Sequence, residues 1–390
     1  MNDVRVTEDL LRQRAEKLVP QLRERGRESE ELRKLPDATV ADLEAAEILQ
    51  AMRPASAGGS EIGLQTFVDV TRTLSRGDAS AGWVTAFYMS HAWVLSKLGT
   101  EAQKAIFADR PTALAAGTIS QPGSAQRADA GYRVTGRWRF ASGIMHAEWL
   151  MALALAEDGP LICILPVASV TIHDTWHVPG MKATGSNDAE AQDVFVPAYL
   201  AVPFDVFLRP DCPGALAYDY PLLRYPVSPV LSLIHPAVAL GVADAALELF
   251  RDAIESRLRI PSLTRVIEEP TTHEIYAEAV DEHRCAELCL RDAVEILDAG
   301  TEGEGPGPAL EQRAELNLAI AASGERAFRA VDLLIRGAGA GVHRTGHPLD
   351  RICRDTQVMR NHTVVDWRHK AAVCGRVLLG QGGDQPDALF

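Results

Sequence analysis

A chain of 390 residues, 47% apolar and 24% charged, can bury a large core and build more than one packed layer. Its 53 acidic residues outnumber 39 basic ones, for a formal charge of -14. That balance excludes a nucleic-acid surface or an anionic membrane surface, which need clustered Lys and Arg. The partner is expected to be a small molecule or another protein.

The opening MNDVRVTEDLLRQRAEKL is charged from its third residue and lacks an apolar core segment, so it reads neither as a signal peptide nor as a membrane span. No apolar run elsewhere nears about 18 residues. From Val6 to about Leu49, apolar residues recur at three- and four-residue steps (Leu10, Leu11, Ala15, Leu18, Leu22), which predicts helix, with a second short helix from Thr39. MRPASAGGSEIG is a loop, and Gly77-Asp78 divides two more helices.

After Pro111 the pattern changes to short runs of period two or continuous apolar character: LAAGTIS, GYRVTGRWRFASG, WLMALALAE, LICILPVASVTI and AEAQDVFVPAYLAV. Pro122-Gly123, DGP at 158–160 and GSND at 185–188 read as turns, and the spacing predicts antiparallel strands in a small barrel or sandwich. Trp138 and Phe140, two residues apart, are expected on one face. From about Ser228 the helical period returns in four long amphipathic segments, interrupted by GTEGEGPGP, which is the count of an up-and-down bundle.

The six cysteines follow no disulfide spacing, so reduced thiols in a cytoplasmic protein are expected. Cys285 and Cys289, with His283 nearby, lack the second ligand pair of a zinc site and read as small apolar residues on one helix face; no metal is expected. No Gly-x-Gly-x-x-Gly joins a strand to a helix, so no nicotinamide domain is predicted.

Five stretches in order (LSRGDASAGWV, ISQPGS, VTGRWRFASG, GMKATGSNDAEAQDVFVP and HPLDRICRD) resemble the acyl-CoA dehydrogenase superfamily. The resemblance implies an α+β fold: an N-terminal helical domain (1–112), a middle β-barrel (113–225) and a C-terminal four-helix bundle (226–390). Arg354-Asp355 is followed by no carboxylate-Gly-Thr sequence, where dehydrogenases of the family carry a Glu base. His362 stands instead where the flavin-dependent hydroxylases show a His. Ala141 to Trp149 is similar to their Ser-Ser-Gly-x-x-His-Ala-x-Trp stretch, with Ala141 replacing the first Ser.

This branch implies the oxygenase component of a two-component monooxygenase. FMNH2 or FADH2 from a separate reductase would react with O2 to a C4a-hydroperoxide that hydroxylates a small aromatic, phenolic or polyketide-type substrate. Amine N-hydroxylation, or an acyl-CoA dehydrogenase using Glu248 or Glu255, are the alternatives. By resemblance His362 is the base or peroxide-orienting group, and Ser142 holds the hydroperoxide near the flavin N5. Read from the residues alone, a lone His such as His362 is more commonly a bundle-core histidine, and Ser142 equally suits a turn. Ser120, Gln121, Ser124 and Phe140 are expected at the flavin, and Arg257 at its phosphate with Arg259 as second choice. Thr184 and Ser186 are weaker candidates, and His369 reads as a capping or solvated residue. Bundles of this kind imply a homotetramer.

Overall fold

The computed structural model describes residues 6–108, 112–260, 262–300 and 309–381. The GTEGEGPGP loop lies, beyond Gly300, outside the described residues. Five helices come first: α1 (Glu8–Leu32), α2 (Asp37–Ala45), α3 (Leu64–Gly77), α4 (Ala79–Ser96) and α5 (Thr100–Phe107). Asp78 has extended backbone and its carboxylate accepts from Ala81 N at 2.9 Å, so the Gly-Asp pair ends one helix and caps the next. The second helix starts at Asp37 rather than Thr39, because Pro36 fixes the preceding φ and Asp37 suits the positive end of the helix. Helix α4 is buried at all but one of its positions and packs against both the sheet and the bundle.

Seven strands follow: β1 (Ala115–Ala128), β2 (Gly131–Ala141), β3 (Trp149–Ala156), β4 (Gly159–Pro166), β5 (Thr171–His173), β6 (Asn187–Pro197) and β7 (Ala201–Pro203). They form one sheet in the order β5-β6-β2-β1-β3-β4-β7. The antiparallel expectation fails at one pair, since β1 and β3 run parallel with Ala115 opposite Trp149. The cause is the segment between β2 and β3, which crosses the start of β1: Glu148 N donates to Leu114 O, and Leu114 N to the Glu148 carboxylate. Pro122-Gly123 is likewise not a turn. It lies inside β1, where the register with β3 shifts between Thr118 and Gly123, and such an irregularity tolerates a residue without an N–H. VASVTI does not continue β4, because Pro166 ends it and β5 crosses to pair with β6 at the far edge.

Trp138 and Phe140 do not share a face. Phe140 has φ 63, and the β2–β6 register shifts between Trp138 and Ala141, which breaks the alternation. Trp138 is therefore fully buried, its Nε1–H donating to Leu153 O at 2.8 Å, whereas Phe140 is 58% exposed.

The C-terminal part holds α6 (Pro213–Ala217), α7 (Val227–Ser232), α8 (Ile234–Glu255), α9 (Pro270–Ala299), α10 (Leu310–Ala338), α11 (Pro348–Met359) and α12 (Trp367–Leu378). Helices α8, α9, α10 and α12 are the four expected, and HPLDRICRD supplies the additional α11. Val227–Glu255 passes the length and composition test for a membrane span, yet 83% of its most apolar window is buried within this protein. Sequence reading missed it because Ser228, Ser232, His235 and Gly241 interrupt the run. Helix α8 packs chiefly against α3 and α10, with α4, α9 and α11 around it.

Candidate active site

The end of β2 bends through two left-handed residues, Phe140 (φ 63) and Gly143 (φ 75). A Cβ at Gly143 would stand 2.8 Å from the Tyr88 hydroxyl, which donates to Gly143 O at 2.5 Å. Only glycine meets both conditions without strain. The bend delivers Ser142 into a chain of hydroxyls. Trp83 Nε1–H donates to Ser142 Oγ at 3.2 Å, Ser142 Oγ lies 2.8 Å from Ser186 Oγ, and Ser186 Oγ lies 2.7 Å from Thr184 Oγ1.

Hydrogen counting fixes the direction of this chain. Thr184 donates its one hydroxyl proton to Met181 O at 2.9 Å, so Ser186 donates to Thr184 and Ser142 to Ser186. Ser142 Oγ then has one incoming bond, from Trp83, and one lone pair left to accept from a ligand. Met181 also ties this chain to the bundle, because its own N–H donates to Asp355 Oδ1 at 2.5 Å. Burial pushes the Asp355 carboxyl up to about 7, with Asp78 adding to the shift and the Met181 N–H and Arg351 opposing it.

Trp83 also joins the serine to two imidazoles. Its ring makes edge contacts with His362 at 5.4 Å and His235 at 5.8 Å between centroids, and the two imidazoles lie 5.9 Å apart. Phe328 from α10 closes the group against His235 at 5.5 Å, and Phe87 lies 5.3 Å from Trp83. His362 is held at the end of α11 with Nδ1 accepting from Val364 N at 3.4 Å, which puts its proton on Nε2 in the neutral form. Burial lowers its pKa from the ordinary histidine value, favouring that form. His235 is pushed down to about 3 by burial and by His362, and His91, further along α4, to about 4 by burial.

The other expected residues divide into two groups. Gln121 and Ser124 line an open cleft of about 450 Å³ over the β1 irregularity, with Gly123, Thr135, Arg137 and Arg139. Ser120 stands beside it, but its hydroxyl bridges the strands by donating to Arg139 O at 3.1 Å and accepting from Arg139 N at 3.3 Å. Phe140 leans edge-on to Trp176 at 6.2 Å. Arg137 is paired with Asp188 at 3.0 Å, whereas Arg139 has no carboxylate partner among the described residues. Arg257 is directed elsewhere: its guanidinium caps the Ala338 carbonyl at the end of α10 and lies against Gly339. Arg259 pairs with Glu269, and His369 is exposed in the first turn of α12.

Neither proposed dehydrogenase base joins the cluster. Glu248 pairs with Arg23 at 2.5 Å and Arg76 at 3.8 Å, and Glu255 is exposed. Sequence reasoning missed Trp83 and His235. Trp83 stands in LSRGDASAGWV with no local feature that gives it a role, and His235 is a single imidazole in an apolar helix, the usual pattern of a core residue.

Residues 5–112 match the acyl-CoA dehydrogenase N-terminal domain and 233–367 the acyl-CoA dehydrogenase C-terminal domain. A pigment production hydroxylase from a Rhodococcus species is 34% identical over 96% of this chain and 97% of its own. The oxygenase component of an FADH2-dependent resorcinol hydroxylase from a Rhizobium species is 28% identical over 92% and 91%. Among solved structures, the 3-HSA hydroxylase of Rhodococcus sp. RHA1 superposes with a TM-score of 0.90 at 26% identity, covering 98% of this chain and all of that one. XiaF from a Streptomyces species, solved with FADH2 and glycerol, gives 0.89 at 25% identity, covering 97% of each. The hydroxyl chain with its open acceptor, the imidazole pair and these likenesses agree: the chain belongs to the acyl-CoA dehydrogenase superfamily and, within it, to the flavin-dependent monooxygenases.

Proposed function

We propose that the chain is the oxygenase component that hydroxylates a small aromatic substrate, phenolic or polyketide-type, at the aromatic cluster around Trp83. The observation that carries this reading is that Trp83 donates to Ser142 while its ring touches His362, so the serine and the imidazole share one wall. The residues fit a reduced flavin: the cleft at Gln121, Ser124 and Arg139 suits the phosphate-bearing end, exposed Phe140 can lie beside the ring, and Ser142 offers an acceptor to a ring N–H. FMNH2 or FADH2 arrives from a separate reductase and, when bound, supplies the reducing power that splits O2.

The chain's own residues do the rest. Ser142, its proton directed to Ser186, accepts but does not donate, so it favours the flavin state that carries the N–H. Neutral His362, its Nδ1 held by Val364 N, presents Nε2–H as a donor that orients the substrate at the position where oxygen is inserted. Trp83, Phe87 and Phe328 exclude water, which strengthens each of these polar contacts. The three domains are taken as 1–112, 113–225 and 226–390, and the assembly as a cytoplasmic homotetramer, in keeping with six free thiols.

The test supplies the full-length protein with flavin, NADH and a flavin reductase under ¹⁸O-labelled O2. A panel of simple phenols should give a product carrying one labelled oxygen. Failure to retain FMNH2 or FADH2 in anaerobic dialysis, or reduced-flavin oxidation without labelled product from any phenol, would overturn the reading.

A further inference from the structure

His235 carries a buried polar atom that the protein itself does not pair. The side chain is 2% exposed, and its Nε2–H donates to Met359 O at 2.9 Å, which leaves Nδ1 with a lone pair and no partner among the described residues. A buried acceptor left unpaired is costly, and in a native protein such an atom calls for a reason. Its surroundings supply one. Trp83 and Phe328 stand edge-on to the imidazole at 5.8 and 5.5 Å, and the half-buried His362 ring, beside the short Thr363–Val365 turn, lies 5.9 Å from it. Flat apolar walls meeting at one acceptor match a flat ring that carries one donor at its rim.

We propose that His235 Nδ1 is the specificity-determining acceptor for a hydrogen-bond donor on the rim of the aromatic substrate, an O–H of a phenol or an N–H of an azole ring. The inference rests on the aromatic hydroxylation proposed above. It gives the imidazole pair two jobs, His235 recognising the donor through its Nδ1 lone pair and His362 orienting the substrate through its Nε2–H. The His235 imidazole stays neutral through the physiological range, since its pKa lies at about 3, so it recognises by its lone pair and takes up no proton. A buried acceptor left unpaired by an alkylated analogue discriminates more strongly than apolar contact can.

The experiment compares binding of 2-naphthol with 2-methoxynaphthalene, and of indole with 1-methylindole, to the full-length protein by equilibrium dialysis. Wild type should prefer the donor-bearing member of at least one pair by roughly ten-fold or more, and the pair that shows it identifies O–H or N–H as the donor. His235→Gln keeps an amide nitrogen near the Nε2 position and removes the Nδ1 acceptor, so the preference should vanish. His235→Asn places an oxygen near Nδ1 and should restore most of it, which a purely structural role would not produce. Equal affinities within both pairs for wild type, or a preference that survives in His235→Gln, would overturn the assignment. A wild type that shows the preference but yields no labelled product overturns the hydroxylase reading and leaves the recognition site standing.

Discussion

Trp83 donates its indole N–H to Ser142 Oγ across 3.2 Å, and the two residues come from an interior helix and the tip of a strand, 59 positions apart in sequence. This bond occupies one lone pair of the serine and leaves the other for a ligand. Trp83→Phe keeps an aromatic wall and removes the donor. Its expected effect is poorer coupling: several-fold more hydrogen peroxide per reduced flavin consumed, with flavin retention little changed. A peroxide assay beside product quantification checks it.

Ser186→Ala should alter redox preference rather than abolish binding. Without Ser186, the Ser142 hydroxyl loses the acceptor that directs its proton and can donate to a ligand instead. Oxidised flavin, whose ring nitrogen is an acceptor, should then gain on reduced flavin by about ten-fold. Paired binding measurements with FAD and anaerobically prepared FADH2 give the ratio, and an unchanged ratio contradicts the direction assigned to the hydroxyl chain.

Gly143→Ala places a Cβ 2.8 Å from the Tyr88 hydroxyl at a φ of 75. Strain and clash together should cost about 1–3 kcal/mol of stability. Tyr88→Phe removes the nearest clashing atom while ring carbons stay at 2.9 Å, so the double variant should regain only part of the loss, yet be less destabilised than the two single changes added together. Urea midpoints of the four proteins test the coupling.

Buried histidines and a buried carboxyl oppose each other with pH. His235 and His91 have folded pKa values of about 3 and about 4, below the ordinary 6.5, so the unfolded chain binds protons first and stability falls as pH drops below about 6.5. At about pH 5 each costs about 2 kcal/mol. Asp355 has its pKa raised from 3.8 to about 7, so its contribution is full below the unfolded value and is lost as pH rises through that window. Asp355→Asn keeps an acceptor for Met181 N–H but does not titrate. Its stability should therefore rise more steeply than wild type between about pH 4 and 7, in chemical denaturation followed across pH.

Arg139→Gln tests the cleft. Because Arg137 is already paired with Asp188, the charge available to a phosphate there belongs to Arg139. The variant should hold reduced flavin several-fold more weakly and with a shallower dependence on salt, as titrations at two ionic strengths would show.

The helical thirds of the molecule were legible because each helix carries its own evidence, as in the apolar steps of α1 and the cap at Asp78. The sheet was legible only strand by strand. The parallel pairing of β1 with β3 depends on where the 142–148 segment crosses, which no local pattern records. Ser142 and His362 were reached through resemblance, and geometry then joined them through Trp83. His235 could not be singled out, since a histidine flanked by Ile, Pro and Ala gives no sign of which nitrogen will be satisfied. Arg257 shows the converse: guanidinium chemistry suits a phosphate, but the carbonyls at the end of α10 compete for the same donors.

The burial of α8 under α3 carries a consequence for how the chain is made. Its apolar surface would be a liability on a ribosome if exposed alone, but α3 is synthesised about 170 residues earlier and can be waiting as a docking platform. A fragment beginning near residue 226 would lack that cover and should precipitate or recruit chaperones, however regular its helices. The bundle is in this sense a client of the N-terminal third, and circular permutants that place α3 last should fold with lower yield.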